Sequence, residues 1–299
     1  MSSERAGRPK PAIGDRQPQI LLGAHMSIAG GVHMAIERGC SIHCTAIQMF
    51  VKNNMQWFAR PLSRDEIDAF CKHAQRDKLL SVFAHANYLI NLAATNQRFH
   101  ANSLRALAEE LIRADQLNLP FLVVHPGAHL GAGEEAGLNQ IAASIDAVFA
   151  ALPNVTTKIA LETTAGQGSC LGEKFEHLAY IIDHVHDPKR ICVCLDTAHV
   201  FAAGYDISTE AATRRMFREF DRLIGLDHLA AIHLNDSKAT CGSRVDRHEH
   251  IGKGKIGLTA FRAILRDRRF AKIPKVLETP KGKDLREDVM NLKRLRGLI

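Results

Sequence analysis

Eight short apolar runs, spaced along the chain with helical patterns between them, limit the fold more than any other feature. They cover Ile20–His25, Ala46–Val51, Leu80–Ala84, Phe121–His125, Lys158–Glu162, Ile191–Asp196, Leu229–Leu234 and Lys275–Glu278. Most are near-continuously apolar rather than alternating, the pattern of strands buried on both faces of a parallel sheet. Between them, Arg64–His73, Ser103–Gln116, Leu138–Ala151, Phe175–Val185, Glu210–Ile224 and Ala260–Arg266 place apolar residues three and four apart, as one-sided helices do. Strand and helix thus alternate eight times in about the length of a TIM (β/α)8 barrel, roughly 250 residues. A doubly wound open α/β sheet is the other architecture the alternation allows. No Gly-x-Gly-x-x-Gly turn follows the first run and no Walker loop occurs, which argues against a nucleotide-binding version.

Apolar residues make up 46% and charged residues 24%, the balance of an ordinary globular chain, which excludes collagen-like, disordered and disulfide-scaffold classes. No linker interrupts the pattern after residue 20, so 20–299 is expected to be one barrel domain. Residues 1–19, rich in Pro, Gly and Arg, read as a disordered basic tail. They lack the apolar segment of a secretory signal, and no run approaches the roughly 18 apolar residues a membrane helix needs. Seven cysteines with no Cys-x-x-Cys pair read as reduced thiols of a cytoplasmic protein. Cys192 and Cys194, two apart, are expected to share one face of a buried strand as core filler.

Histidine is abundant, at 16 residues, and its placement carries the chemistry. Six successive runs carry a metal-ligand type at or within one residue of their ends: His85, His125, Glu162, Asp196, His233 and Glu278. In a barrel these ends converge on the rim where active sites lie. One such residue alone means little. Six crowded together must be paired, hydrated or bound to metal, because unpaired burial of polar groups is costly. Mixed His and carboxylate donors suit zinc, manganese or iron, and six exceed the needs of one tetrahedral ion. His199, just past the sixth run, and Asp246 and His248, in the long segment Asp236–Gly257, add three more. Several metals on one rim suit phosphate-ester hydrolysis, where one activates water and others hold the phosphate and leaving oxygens. A net charge of +7 and the basic residues Lys238, Arg244 and Arg247 of the long segment fit a polyanionic substrate.

Longer motifs point the same way. They are Gly23-Ala24-His25-Met26-Ser27-Ile28-Ala29-Gly30-Gly31, Tyr88-Leu89-Ile90-Asn91-Leu92, His125-Pro126-Gly127, Glu162-Thr163-Thr164-Ala165-Gly166-Gln167-Gly168, Cys194-Leu195-Asp196-Thr197-Ala198-His199, His233-Leu234-Asn235-Asp236-Ser237-Lys238, Gly242-Ser243-Arg244-Val245-Asp246-Arg247-His248 and Leu277-Glu278-Thr279. In these the chain resembles endonuclease IV, the zinc-dependent apurinic/apyrimidinic (AP) endonucleases built on a TIM barrel. The resemblance implies three zinc ions, with manganese or iron as substitutes. One would be held by His85, His125 and Glu162, a second by Glu162, Asp196, His233 and Glu278, and a third by His199, Asp246 and His248.

It further implies hydrolysis of the phosphodiester 5′ to a baseless sugar, leaving a 3′-hydroxyl and a 5′-deoxyribose phosphate, with trimming of blocked 3′ ends as a second activity. Glu162 and Glu278 would be catalytic, Glu278 helping to position or activate the nucleophile. The implied partner is double-stranded DNA containing AP sites or blocked 3′ ends. The implied setting is a monomer in the cytoplasm, associated with the nucleoid in a prokaryote. Tyr88 and Leu89 are expected to fill the gap left by an extruded nucleotide, with Lys238, Arg244 and Arg247 also facing DNA and His25 either facing DNA or supporting the metal ligands. Met55 stands where the family often has a wedging Arg, and supplies an apolar wedge without the charge. Ala86-Asn87 departs from the family's usual acidic and small pair. Asn235, Asp236 and Lys238 are expected to orient His233, while His129 and His250 read as polar surface or as supports behind the ligands. Two other readings are a metal-dependent sugar isomerase or epimerase on a related barrel, which leaves His199, Asp246 and His248 without a task, and a non-catalytic DNA-binding barrel.

Overall fold

The structure, a computed structural model, describes residues 20–76 and 79–299. The expected tail, 1–19, lies outside the described residues. Eight parallel strands close into a barrel: β1 (Leu22–Met26), β2 (Ala46–Phe50), β3 (Ser81–His85), β4 (Phe121–Val124), β5 (Lys158–Glu162), β6 (Ile191–Asp196), β7 (Leu229–His233) and β8 (Lys275–Leu277), each hydrogen-bonded to its sequence neighbours and β8 to β1. Each expected run contains its strand to within a residue or two at the ends, and the open-sheet alternative is excluded by closure. Helices surround the barrel: α1 (His33–Ser41), α2 (Arg64–Arg76), α3 (Gln97–Gln116), α4 (Glu134–Ala151), α5 (Phe175–His184), α6 (Thr197–Ala203), α7 (Glu210–Leu223), α8 (Leu258–Arg266) and α9 (Arg286–Arg296). Three of these, α1, α6 and α9, are not evident in the sequence. Six of the seven residues of α6 are buried, so it has no polar face to produce a stripe.

Side chains alternate between the two sides of each strand. One set, Ala46, Phe83, Phe121, Val123, Ala160, Cys192, Cys194, Ala231 and Val276, packs the barrel interior. The two expected core cysteines are among them, and none of the seven cysteines is in a disulfide. The opposite set joins the helices in the larger core. Gly23 is required by spacing: a Cβ there would lie 1.7 Å from the Ala46 carbonyl oxygen, so a larger residue would push β1 off β2. Two short antiparallel ladders stand over the rim, Gly127–Ala128 with Cys170–Leu171 and Asp236–Ser237 with His248–Glu249. The second ladder folds the long segment back over the barrel mouth.

Candidate metal centre

Continuing the inward alternation by one step beyond the apolar interior puts polar groups at the barrel mouth. His85, Glu162, Asp196 and His233 are the last residues of β3, β5, β6 and β7, while His125 and Glu278 directly follow β4 and β8. Asp196 has two jobs. Its Oδ1 accepts from the backbone N–H of Ala198 (2.6 Å) and His199 (3.0 Å), capping α6. Its Oδ2 remains for the site. The cap is why Asp-Thr-Ala-His spacing matters, since it sets His199 in the first turn of α6, facing the same mouth.

Four imidazoles gather around the fully buried Glu162. His85 Nε2 is 3.0 Å and His125 Nε2 3.1 Å from Oε2, and His233 Nδ1 is 2.9 Å and His199 Nδ1 3.4 Å from Oε1. His233 Nδ1 also lies 3.2 Å from Glu278 and 3.7 Å from Asp196. Asp246 reaches His199 Nε2 (3.2 Å) and His248 Nε2 (3.3 Å) from the folded-back segment. All nine expected ligands therefore meet. Their donor atoms form three groups: His85, His125 and Glu162; Glu162, Asp196, His233 and Glu278; and Asp196, His199 and His248, with Asp246 against both histidines of the last. Asp196 thus borders two groups rather than one.

Each of four histidines has one ring nitrogen against an oxygen outside the carboxylate cluster. His85 Nδ1 lies 2.6 Å from the Ala86 carbonyl, His199 Nδ1 2.8 Å from Thr163 O, His233 Nε2 2.7 Å from Gln48 Oε1 and His248 Nδ1 3.2 Å from Glu278 O. A carbonyl oxygen requires a donated N–H, so the other nitrogen points a lone pair into the site. There it meets a carboxylate oxygen, and two such groups attract only through an intervening cation. The buried Nε2 of His248 has no hydrogen-bond partner. With protons as the only cations, burial lowers His199 and His233, but the carboxylates outweigh it and hold both well above the usual histidine range. Burial likewise raises Glu162 and Glu278, and the histidines overcome it, holding both well below the usual carboxylate range.

Gln48 was not evident as a site residue. It is buried at the end of the inward row of β2, where its Nε2 donates to Glu278 Oε1 (2.5 Å) and its Oε1 accepts from His233 Nε2. A buried amide two residues from Ala46 in an apolar strand is its sequence signal. Gln48 also donates to His25 Nδ1 (2.8 Å). Burial pushes His25 down to about 4, so this histidine is neutral and sits beside Glu278 (3.5 Å) rather than facing outward. The expectation for residues 235–238 is corrected. Asn235 orients Asp196 (Nδ2 to Oδ2, 2.6 Å) and Glu278 (N to Oδ1, 2.7 Å), not His233. Asp236 accepts backbone N–H bonds from Ser237, Gly252, Gly254 and Ile256 and ties down the folded-back segment. Lys238 faces Glu249 at 3.9 Å.

The mouth opens into a cavity of 430 Å³ lined in part by Tyr88, Gln167, Cys170 and Arg247. Tyr88 is 58% exposed above His85, and Met55 is 74% exposed on a neighbouring loop. Leu89 is half-buried; Arg244 is exposed and does not line the cavity. His129 Nδ1 accepts from Gly131 and Gly133 within its own loop, and His250 meets Asn291, so both shape loops. A larger groove of 720 Å³, between α7 and α8 outside the barrel, is lined by arginines and contains no histidine. Glu134, Glu173 and His177 form a separate group, but Lys174 already neutralises Glu134 at 2.8 Å. Among the described residues, no helix is long and apolar enough to cross a membrane.

Residues 40–295 match a family model described as a xylose isomerase-like TIM barrel, AP endonuclease family 2. A probable endonuclease 4 of Chloroflexus aggregans is 50% identical over 277 residues, covering 93% of this chain and 97% of the relative. One from Geobacter sulfurreducens is 50% identical over 278 residues, covering 93% and 94%. The crystal structure of endonuclease IV from Thermus thermophilus superposes with a TM-score of 0.83 at 34% identity, covering 93% of this chain and 98% of that one. A D-tagatose 3-epimerase-like protein shares the fold at a TM-score of 0.69 and 18% identity, covering 92% and 96%.

Proposed function

The chain belongs to the endonuclease IV family of AP endonucleases, and we propose that it hydrolyses the phosphodiester 5′ to an AP site in double-stranded DNA, leaving a 3′-hydroxyl and a 5′-deoxyribose phosphate. One observation carries the reading: nine His, Asp and Glu side chains of a single chain meet at the barrel mouth with imidazole lone pairs turned inward toward carboxylates. Five imidazoles and four carboxylates suit zinc, with manganese or iron as substitutes. Three ions would be held by His85, His125 and Glu162; by Glu162, Asp196, His233 and Glu278; and by His199, Asp246 and His248. Such ions, when bound, make water acidic near neutral pH and offset charge on the phosphate and departing oxygen.

The protein's own groups do the rest. Glu278, oriented by Gln48 and Asn235, lies against His233 within the cluster and aligns the attacking water. Tyr88 and Leu89 close the space a missing base leaves, and a baseless nucleotide costs less to extrude because it has no stacking to lose. Met55 enters as an apolar wedge. Lys238, Arg244 and Arg247 draw in the phosphate backbone. The same site trims blocked 3′ ends, since that reaction also breaks a phosphodiester at a 3′ oxygen. An isomerase reading gives His199, Asp246 and His248 no task. Elemental analysis tests the metal assignment: three zinc ions per chain, falling to two in a folded His248→Ala variant, with incision lost on chelation and restored by zinc. A fully active protein with one ion per chain would overturn it.

A further inference from the structure

Lys52 and Glu110 form an ion pair that lies outside the metal centre and is almost completely buried, at 1% exposure for each side chain, with 2.9 Å between Nζ and Oε1. Removing two charges from water costs several kcal/mol per ion, so a pair in this position needs a compensating structure around it. Here every remaining bond runs to one of two rim loops. Lys52 Nζ donates to the Gln56 carbonyl (2.6 Å), in the loop between β2 and α2 that presents Met55. Glu110, on α3, accepts from Asn87 Nδ2 (2.5 Å) and Asn87 N–H (3.1 Å), in the loop between β3 and α3 that presents Tyr88. Asn87 Oδ1 in turn accepts from Leu89 N–H (2.8 Å). Adjacent residues of α3 reinforce the first loop: Glu109 accepts from Ala59 N–H, and Arg113 donates to the carbonyls of Val51 and Arg60. Neither loop carries regular structure near its tip, and each tip holds a largely exposed apolar or aromatic side chain.

We propose that Lys52, Glu110 and Asn87 are positioning residues that lock the spacing between Met55 and Tyr88, so that both side chains enter a duplex together and select an extruded baseless nucleotide. This rests on the DNA-cutting reading above. It also gives Asn87, a departure from the family's pattern, a definite partner.

The test compares the full chain with the Lys52→Met/Glu110→Leu double variant and with Asn87→Ala. Apolar replacement of a whole buried pair is often neutral for folding, so the double variant avoids leaving one charge stranded. Expected are a rise of about 10-fold to 100-fold in KM for a baseless-site duplex, unchanged hydrolysis of bis(p-nitrophenyl) phosphate, which is too small to span the loops, and unchanged zinc content. Trp57, the sole tryptophan, lies in the Met55 loop, and its quenching by acrylamide should increase. A merely structural role would lower the melting temperature and leave KM untouched at temperatures well below it. A folded double variant with wild-type KM and wild-type Trp57 quenching would overturn the proposal. If the wild-type chain cuts no baseless-site duplex, the cutting reading fails separately, and Trp57 quenching alone decides the network: increased in both variants supports it, unchanged overturns it.

Discussion

Gln48 touches three side chains on which the proposed chemistry depends. Its amide nitrogen holds Glu278 and His25, and its oxygen takes the Nε2 proton of His233, leaving Nδ1 to face Glu162, Asp196 and Glu278. Replacing Gln48 with Leu should therefore cost about 10-fold to 100-fold in metal affinity or activity, read as zinc lost to a competing chelator. Unchanged retention would contradict the orienting role. Glu278→Gln preserves shape and the Gln48 contact while removing the charge, so folding should persist and incision should fall by about 10²-fold to 10⁴-fold. Near-normal cutting by a folded variant would sink the role assigned to Glu278. Six of the nine candidate ligands were legible because each stands at or beside the end of an apolar run; His199 lies just past one, and Asp246 and His248 stand out in the long basic segment. Gln48 was not, because its partners lie 185 and 230 residues away and only barrel closure brings them together.

At the level of elements, the strands were legible from their burial on both faces, while α6 was hidden by the same property. The segment 236–257 reads in sequence as irregular and basic. In the fold it is a strap, pinned where the buried Asp236 carboxylate collects four backbone N–H groups. Gly254 is part of the pin, since a Cβ there would lie 2.4 Å from Asp236 Oδ1. Asp236→Ala strands those donors, at about 1–3 kcal/mol for each one left unsatisfied. The strap carries Asp246 and His248, so this variant should lose the ion assigned to His199, Asp246 and His248 before the others. Loss of all ions together, or of none, in titrations against chelator would contradict that division. The Lys52–Glu110 pair was equally invisible, because one partner lies on a loop and the other on an otherwise ordinary helix.

For the whole molecule, one buried cation sets a pH dependence apart from the metal site. Lys275, at the start of β8, donates to the carbonyls of Phe270 (2.5 Å) and Ile273 (2.8 Å) and has no ion-pair partner among the described residues. Burial pulls it down from 10.5 to about 8, against a weaker upward pull from Asp267. Between those values the folded chain has released a proton that the unfolded chain still holds, so Lys275 itself contributes a rise in stability from about 8 to 10.5, opposed above about 9 by the buried thiols of Cys44, Cys192 and Cys194, which burial pushes up to about 12. The rise is at most about 3 kcal/mol, and it should vanish in Lys275→Met. The test is the difference in urea-denaturation stability between the wild type and Lys275→Met, which should grow in favour of the wild type from about pH 8 to 10.5; a difference that does not change with pH would contradict it. The central claim, hydrolysis at baseless sites by a preassembled rim of metal ligands, is tested most directly by one incision assay. The purified chain, without added metal, is given a duplex oligonucleotide bearing a single stable baseless-site analogue that cannot undergo β-elimination. The account predicts one cut 5′ to the analogue with a 3′-hydroxyl end. An intact duplex after incubation with protein shown to contain zinc would contradict it.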